Sequence, residues 1–252
     1  MQPGMQHRVQ QAEKAAEPYS FQNKLLRNLA PESIARLHLH ALRLEVGREM
    51  EYPGCSIDHL FFIEEGIASM TTAFTDGSQV EVSMFGFESV IGISALMGTK
   101  HSLNRIYMQM DGRGFSSPID AARREFQLHA HFHYLALRYV QAQLTEATQS
   151  AGCNAKHELD QRLARWLLLS SDRAHSDTLA LSQELIADML GSARPTVSMA
   201  AGLLKSKGLI DYRRGTIHIL DRPGLEKSTC ECYRVVKDHL DNYAEFDTGF
   251  VV

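Results

Sequence analysis

Residues 183–202 read QELIADMLGSARPTVSMAAG, and the spacing of their small residues indicates two short helices that cross at a steep angle. Ser182 is a suitable N-cap for the first helix, and Gly191 ends that helix because glycine accepts the positive φ of a helix C-terminus. Ala187 would let the two helices approach, and Val197 would fill their contact. The pattern is typical of a helix-turn-helix, in which the second helix enters the major groove of DNA.

The residues after the second helix predict a β-hairpin with a basic tip. Residues 209–212 (LIDY) and 216–220 (TIHIL) flank a turn of Arg213, Arg214 and Gly215, which would form the wing of a winged helix. Residues 192–220 contain five basic residues and one acidic residue, a local charge of 5 − 1 = +4 on a chain whose net charge is −4. Such a local basic patch is the electrostatic signature of DNA binding.

The composition of the whole chain is that of an ordinary globular protein. The 252 residues are 44% hydrophobic and 22% charged, which excludes a disordered chain, a collagen-like repeat and a disulfide-rich mini-protein. The longest stretch without Asp, Glu, Lys, Arg or His, residues 89–99, is far shorter than the roughly 18 apolar residues of a membrane helix. The polar N-terminus shows no secretory signal and cysteines are few, so we expect a cytoplasmic protein with no membrane partner.

The N-terminal half has the texture of a β domain. Two short helices separated by Pro31 are expected first, and short apolar or alternating runs follow from about Leu42 to Phe115. Strands of this length and spacing predict an antiparallel sandwich or small barrel. The pair Asp76-Gly77 is a hairpin signal. Further turn signals are Glu65-Gly66 and Asp111-Gly112.

A long helix is predicted from about His131 to residue 151, between a short amphipathic piece at 120–128 and another helix at 157–171. Its apolar residues recur every three or four positions, which is the narrow stripe of a two-helix seam. The stripe consists of Leu137, Val140, Leu144, Ala147 and Ala151. It predicts that the chain associates with itself as a homodimer; the alternative is that the stripe packs on its own domain.

In this order of elements, the chain resembles the Crp–Fnr family of bacterial transcription regulators. The resemblance covers about residues 21–235, is most specific at 153–173, 181–222 and 224–233, and looks like a subgroup common in α-proteobacteria whose effector is generally not known. It implies an α+β fold with a cyclic-nucleotide-binding-like antiparallel β-roll, a long central dimerisation helix and a C-terminal winged helix-turn-helix. The expected divisions are a disordered arm at 1–20, the β-roll at 21–128, the dimer helix at 129–152, the DNA-binding domain at 153–235 and a tail at 236–252.

The resemblance also implies roles for single residues. Arg194 matches the arginine of the recognition helix that reads guanine, whose O6 and N7 acceptors suit the fork of a guanidinium. Thr196 matches a threonine that contacts the DNA backbone, and Ser182 is placed to touch a phosphate. Arg213 and Arg214 should meet the sugar-phosphate backbone from the tip of the wing.

Two positions depart from the family pattern. The glutamate that usually follows the arginine is Pro195 here, and a second arginine is replaced by Met199. Proline is tolerated in the first turn of a helix, but it cannot accept a hydrogen bond from cytosine. We therefore expect a different half-site, with Ser198 and Met199 as candidates for contact with base edges and a thymine methyl as the partner of Met199.

The residues do not favour cyclic AMP as the effector. Ile93 follows Gly92 where cyclic AMP sensors carry a glutamate for the ribose, and their Arg-Ser-Ala run is absent. Arg105 is nearby but belongs to a different run. No effector site and no cofactor is therefore assigned, with haem or a metal left open.

The cysteines and histidines do not form a recognisable site in the sequence. Cys230 and Cys232 are close, but two thiols do not complete an iron–sulfur site, which usually needs four thiolates. Cys55 and Cys153 are interpreted as small buried hydrophobic residues. Residues 129–133 (HAHFH) are interpreted as surface histidines near the domain junction. No metal ligand or catalytic residue is assigned, although a redox role for Cys230 and Cys232 stays open.

The predicted function is a DNA-binding transcription regulator that acts as a homodimer on a pseudo-palindromic promoter site and is not an enzyme. Double-stranded DNA, a second copy of the chain and, for an activator, RNA polymerase are the expected partners. One alternative is a regulator that senses haem, a metal or thiol redox state. Another is a cupin-like metalloenzyme, which would need histidine and glutamate ligands in the β tract at 42–115. That tract contains only His59 and His101, which are far apart in the sequence. A third is a partner-binding protein that keeps the DNA domain as a scaffold.

Overall fold

A computed structural model describes residues 20–245 of the chain. Residues 1–19 of the arm predicted at 1–20, and residues 246–252 of the predicted tail, lie outside the described residues. The N-terminal part contains two short helices, six strands, a 3-10 helix and a third helix. Their bounds are α1 Lys24–Arg27, α2 Pro31–Arg36, β1 His40–Leu44, β2 Glu49–Glu51, β3 His59–Ala73, β4 Gln79–Phe85, β5 Val90–Ile91, the 3-10 helix Ile93–Met97, β6 Arg105–Pro118 and α3 Ile119–Gln127.

The six N-terminal strands form one antiparallel sheet that curls into a roll. Its main order is β1-β6-β3-β4, with β2 also paired to β6 and β5 to β3. The predicted hairpin at Asp76-Gly77 is confirmed, since it joins β3 to β4 and the Asp76 carboxylate accepts a hydrogen bond from the backbone N–H of Ser78 (2.9 Å). Pro31 begins α2 rather than merely separating two helices, which suits its fixed φ.

Two of the expected turns are wrong. Glu65-Gly66 lies inside β3, and Asp111-Gly112 lies inside β6, where the pairing of the two long strands shifts register. Gly66 has φ +94°, and a Cβ on Gly112 would lie 1.8 Å from the carbonyl oxygen of Glu65. Gly66 and Gly112 therefore allow a β-bulge and a close approach of two strands. Both features need the absence of a side chain, as a turn does, so the glycines alone did not distinguish them from turns.

The C-terminal part is mostly helical and carries a small sheet. Its elements are α4 His131–Lys156, α5 Leu159–Ala174, β7 Thr178–Ala180, α6 Gln183–Leu190, α7 Arg194–Ser206, β8 Ile210–Arg213, β9 Thr216–Ile219, α8 Arg222–Ser228 and α9 Cys232–Asn242. Helix α9 extends through Val236, where the sequence predicted the start of a tail, and it buries Val236 and Leu240. Tyr243, just after α9, packs on Tyr139 of α4 with ring centroids 5.6 Å apart. Within residues 20–245, no helix combines the length and the apolar character needed to cross a membrane.

Buried polar contacts join the C-terminal part to the roll. The guanidinium of Arg173 in α5 bonds Glu88, which follows β4, through Nε (2.7 Å) and Glu146 of α4 through Nη2 (3.0 Å). All three side chains are at most 6% exposed. The indole N–H of Trp166 in α5 donates to the carboxylate of Glu81 in β4 (2.8 Å). Since removing one partner would leave a buried charge uncompensated, these contacts fix how the two parts sit together.

Candidate nucleic-acid interface

The two helices predicted from residues 183–202 are present as α6 and α7. The Ser182 hydroxyl accepts the backbone N–H of Leu185 (3.1 Å), which caps α6 as predicted. Gly191 ends α6 in the left-handed conformation (φ 56°), and its N–H returns to the carbonyl groups of the last turn. Val197 is fully buried between the helices, and Ala187 is nearly so. The local sequence signals therefore produced the expected helix-turn-helix.

Arg194 is the first residue of α7, and its side chain is 62% exposed. Its Nη1 lies 2.6 Å from Oε1 of Glu184, which is in the first turn of α6 and is 59% exposed. Pro195 follows within the first turn, where its missing N–H costs no helical hydrogen bond. The guanidinium is thus accessible at the N-terminus of the second helix, with a carboxylate partner that the sequence interpretation did not identify.

The other predicted base-contacting residues of α7 differ in exposure. Thr196 is exposed in the first turn, and Met199 one turn later is 75% exposed. Ser198 is half-buried, and its hydroxyl donates to the side-chain oxygen of Gln183 in α6 (2.6 Å). Thr196 and Met199 are therefore accessible to DNA, whereas the Ser198 hydroxyl already donates its hydrogen bond to Gln183 of α6.

The wing forms as predicted, with one strand more than the sequence indicated. Strand β9 lies between β8 and β7 in a three-stranded sheet. Arg214 and Gly215 both have positive φ (48° and 78°), which is the type I′ turn that suits a two-residue hairpin. This turn exposes both arginines at the tip.

The two wing arginines differ in their charge environment. Nε of Arg213 lies 2.6 Å from Asp211, which also pairs with Nζ of Lys205 in α7 (2.7 Å). These contacts lower the pKa of Asp211, the hydrogen bond from Lys205 contributing most. Arg214 has no ion pair among residues 20–245. Its charge is therefore fully available to a phosphate.

The predicted dimer stripe lies on the face of α4 that turns away from the protein's core. The buried residues of α4, such as Leu135, Tyr139 and Ala142, lie on the opposite face. The stripe residues are exposed at Leu137 (43%), Leu144 (55%) and Ala151, and half-buried at Val140 and Ala147. The three exposed apolar residues on this face are consistent with the predicted seam.

A cavity of about 260 Å³ lies between the roll and α4. Its lining is mainly apolar and includes Ile93, Val140 and Leu144, with Glu51 and no arginine, lysine or histidine. Burial raises the pKa of Glu51, whose carboxylate accepts the Ser102 hydroxyl and a backbone N–H. Arg105 does not line this cavity: its guanidinium pairs with Glu49 (2.9 Å) and lies 4.7 Å from the centre of the Tyr107 ring.

The structure brings together one cluster that the sequence interpretation missed. The ligand atoms of Cys153, His157, Cys230 and Cys232 all lie within 4.8 Å of one another. The 3.5 Å hydrogen bond between the Cys153 and Cys230 sulfur atoms lowers the pKa of Cys230 to about 5 and raises that of Cys153. Cys153 is fully buried as predicted, but its neighbours are two more cysteines and a histidine. Cys55, which was also predicted to be buried, is only half-buried. The signals that could have indicated the cluster were the Cys-x3-His and Cys-x-Cys spacings in two distant segments.

The other histidines do not gather into a comparable set. His129 and His133 have ring centroids 4.5 Å apart, and Nδ1 of His133 lies 3.0 Å from the carbonyl oxygen of Phe126. His59 and His101, which a cupin-like metal centre would need, are both exposed. Among the residues that the structure describes, only the cysteine-histidine cluster could surround a metal ion.

Comparison with known proteins agrees with this geometry. Residues 161–228 match the Crp-like helix-turn-helix domain family. The global nitrogen regulator of Synechococcus elongatus is 22% identical over 217 residues, which are 82% of this chain and 97% of that protein. The global nitrogen regulator of Nostoc is 23% identical over 186 residues, 69% of this chain and 82% of that protein.

Solved structures share the fold of both parts. A CRP/FNR-family transcriptional regulator from Thermus thermophilus superposes with a TM-score of 0.61 at 21% identity, over 75% of this chain and 97% of that chain. FixK2 from Bradyrhizobium japonicum gives a TM-score of 0.67 at 17% identity, over 77% and 98%. Residues 161–228 therefore carry a Crp-like helix-turn-helix domain, and the chain shares the fold of solved CRP/FNR-type transcription regulators.

Proposed function

We propose that the protein binds a two-fold symmetric promoter site as a homodimer and does so without cyclic AMP. The observation that carries DNA reading is the exposed guanidinium of Arg194 in the first turn of α7, next to the exposed Thr196 and Met199. A helix N-terminus with a forked donor suits the O6 and N7 acceptors of guanine in the major groove. Arg213, Arg214 and the Ser182 hydroxyl would contact the sugar-phosphate backbone. An activating role would add contacts to RNA polymerase.

The homodimer is supported by the uncovered apolar stripe on α4. Pairing two copies of this helix would bury Leu137 and Leu144, whose exposure in one chain is 43% and 55%. A parallel pair of α4 helices would relate two recognition helices by two-fold symmetry. Half-sites about 34 Å apart, one turn of DNA, are the geometry such dimers read.

Independence from cyclic AMP is supported by the lining of the cavity between the roll and α4. A cyclic nucleotide carries a phosphate charge, and burying that charge without a cation costs several kcal/mol. The cavity offers the Glu51 carboxyl group and no basic side chain. An anionic ligand would therefore find no compensating charge there.

The test is selection of bound fragments from genomic DNA with purified protein and no added ligand at physiological salt. Enrichment of a symmetric motif with half-sites one helical turn apart, unchanged by added cyclic AMP, is the expected result. The matched control is Arg194→Ala, which keeps the fold but removes the guanine contact. No enrichment above this control, or enrichment that appears only with cyclic AMP, would overturn the proposal.

A further inference from the structure

We propose that Cys153, His157, Cys230 and Cys232 form a structural zinc site that ties the end of the central helix to the start of the last helix. Cys153 and His157 lie one turn apart at the C-terminal end of α4. Cys230 precedes α9, and Cys232 is its first residue. The inference concerns a site outside the DNA-reading surface and does not depend on that function.

The spacing of the four ligand atoms suits one tetrahedral ion. Zinc bonds of about 2.3 Å to sulfur and 2.0–2.1 Å to nitrogen place tetrahedral ligand atoms about 3.5–3.8 Å apart. The Sγ atoms of Cys153 and Cys230 are 3.5 Å apart, and Sγ of Cys232 lies 3.5 Å from Nδ1 of His157. Since all four atoms lie within 4.8 Å of one another, small side-chain adjustments complete the tetrahedron.

The site is closed, as structural zinc sites are. Cys153 is fully buried, and Cys230 and Cys232 are at most 5% exposed. The three cysteines pack on one another as a cluster separate from the two apolar cores of the described residues. Three buried thiols beside a half-buried imidazole, with no apolar role, are what a thiophilic divalent cation selects.

The neighbours of the cluster are arranged as partners of metal ligands. Nδ1 of His157 faces Cys232, and its Nε2 lies 3.4 Å from Oε1 of Glu231. Metal-bound histidines usually donate their second ring N–H to a carboxylate or carbonyl group in this way. The side-chain amide of Gln149 donates to Sγ of Cys232 (3.1 Å), which would stabilise a thiolate.

A buried cation balances the charge that the site would carry. Zinc bound by three thiolates and one neutral imidazole has a net charge of 2 − 3 = −1. Arg165, only 5% exposed, interacts electrostatically with Cys153, and its Nε has no hydrogen-bond partner in the described part of the chain. Binding of Zn²⁺ releases the thiol protons to solvent, and neither electrons nor an oxidant are needed.

Two other uses of the cysteines fit the geometry less well. An iron–sulfur cluster spreads its thiolates over two or more irons, which requires more room than four atoms within 4.8 Å provide. A Cys153–Cys230 disulfide would leave Cys232, His157 and Glu231 without a reason to converge. All four cysteines of the chain are free thiols in this structure.

The first experiment measures zinc in full-length protein that is purified without a polyhistidine tag and under reducing conditions. About one zinc per chain is expected by mass spectrometry of the metal after gel filtration. The Cys230→Ser/Cys232→Ser variant should hold none, whereas Cys55→Ser, which changes a cysteine outside the cluster, should match the wild type. Zinc content no higher in the wild type than in the double variant, before and after incubation with zinc chloride, would overturn the proposal.

A second measurement keeps the test decisive if the double variant does not fold. Cobalt exchanged into the wild type and Cys55→Ser proteins should show the visible bands of a tetrahedral ion and the ultraviolet band of thiolate–cobalt bonds. His157→Ala should weaken cobalt binding while keeping the thiolate band. A spectrum of six-coordinate cobalt, or freshly isolated zinc-free protein with a Cys153–Cys230 disulfide, would refute the site. These readouts use no DNA, so they are independent of the proposed promoter binding.

Discussion

Nη1 of Arg194 lies 2.6 Å from Oε1 of Glu184, so the side chain expected to read guanine is already paired within the free protein. Both groups are more than half exposed, and such pairs contribute at most about 1 kcal/mol. DNA would compete with Glu184 for the guanidinium while approaching a carboxylate. We therefore expect Glu184 to lower the affinity for every DNA sequence and Arg194 to distinguish one sequence from another.

Glu184→Gln should raise DNA affinity by about three- to tenfold, since it removes one negative charge from the surface that faces phosphate. The gain should be similar for specific and non-specific DNA, and it should shrink as salt rises. Fluorescence anisotropy titrations at several salt concentrations measure both. Glu226→Gln, a charge change on α8, is the matched control; an equal gain there would show that only the net charge matters.

Arg194→Ala should weaken binding to the selected site by about 1–3 kcal/mol and remove the preference for guanine at one position of each half-site. Arg194→Lys should restore much of the affinity but little of the preference, because a lysine lacks the two-pronged donor. Competition titrations with single-base variants of the site measure this. Loss of affinity with an unchanged base preference would place the guanine contact elsewhere.

Replacing a wing arginine should affect DNA binding in a different way from replacing Arg194, and the two wing replacements should differ in the size of their effect. Arg214→Ala should reduce the slope of log affinity against log salt by about 1, equally for all sequences, because it removes one phosphate contact. Arg213→Ala should have a smaller effect, since Asp211 already neutralises part of its charge. Lys100→Ala on the exposed surface of the roll is the charge control. A change in base preference on loss of Arg214 would contradict a purely backbone role.

The helix-turn-helix was predictable because its signals are local. The cap at Ser182, the left-handed Gly191 and the plug at Val197 each act within a few residues of their position. The glycines in β3 and β6 misled because positive φ and close backbone approach serve bulges as well as turns. A glycine in the sequence is compatible with a turn and with a β-bulge, and only the folded structure shows which of the two it forms.

Contacts between residues that are far apart in the sequence carried no local signal. Cys153 and Cys230, or Glu81 and Trp166, meet only because α5 and α9 pack on the roll and on α4. The spacing of residues along the sequence does not predict such long-range contacts. Either the Cys-x3-His spacing at 153–157 or the Cys-x-Cys spacing at 230–232 could suggest half a site, but the fold had to supply the other half.

The contact between Glu81 and Trp166 should make stability depend on pH. Burial raises the pKa of Glu81 from 4.5 to about 7, a shift opposed by the hydrogen bonds from Ser69 and Trp166; nearby Glu146 adds to it and Arg173 opposes it. The folded state therefore holds a proton that the unfolded state has lost between these pH values. The contribution of the protonated Glu81 to the stability of the folded state is complete below about pH 4.5 and is lost as the pH rises through 7.

Glu81→Gln should remove this part of the pH dependence, because the amide can accept the Trp166 N–H and remains neutral. The wild type should lose up to about 3 kcal/mol relative to the variant between pH 5 and 8, a difference of several degrees in Tm. Thermal unfolding of both proteins across this range measures it. Parallel curves of Tm against pH would show that Glu81 is ionised throughout.

The stripe on α4 gives the sharpest test of the homodimer. Leu144→Asp or Leu137→Asp places a charge in the centre of the predicted seam, where pairing would bury it without a partner, so the chain should become monomeric. Loss of one half-site contact should weaken binding to the symmetric site by about a hundredfold or more. Light scattering after gel filtration measures the oligomeric state, and titrations with whole and half sites measure the DNA affinity.

The control is Thr145→Asp, which lies on the same helix but about 100° around its axis from Leu144, and which should leave the dimer intact. If Leu137→Asp and Leu144→Asp behave like Thr145→Asp, the copies of this chain meet through another surface, and the stripe has a different partner.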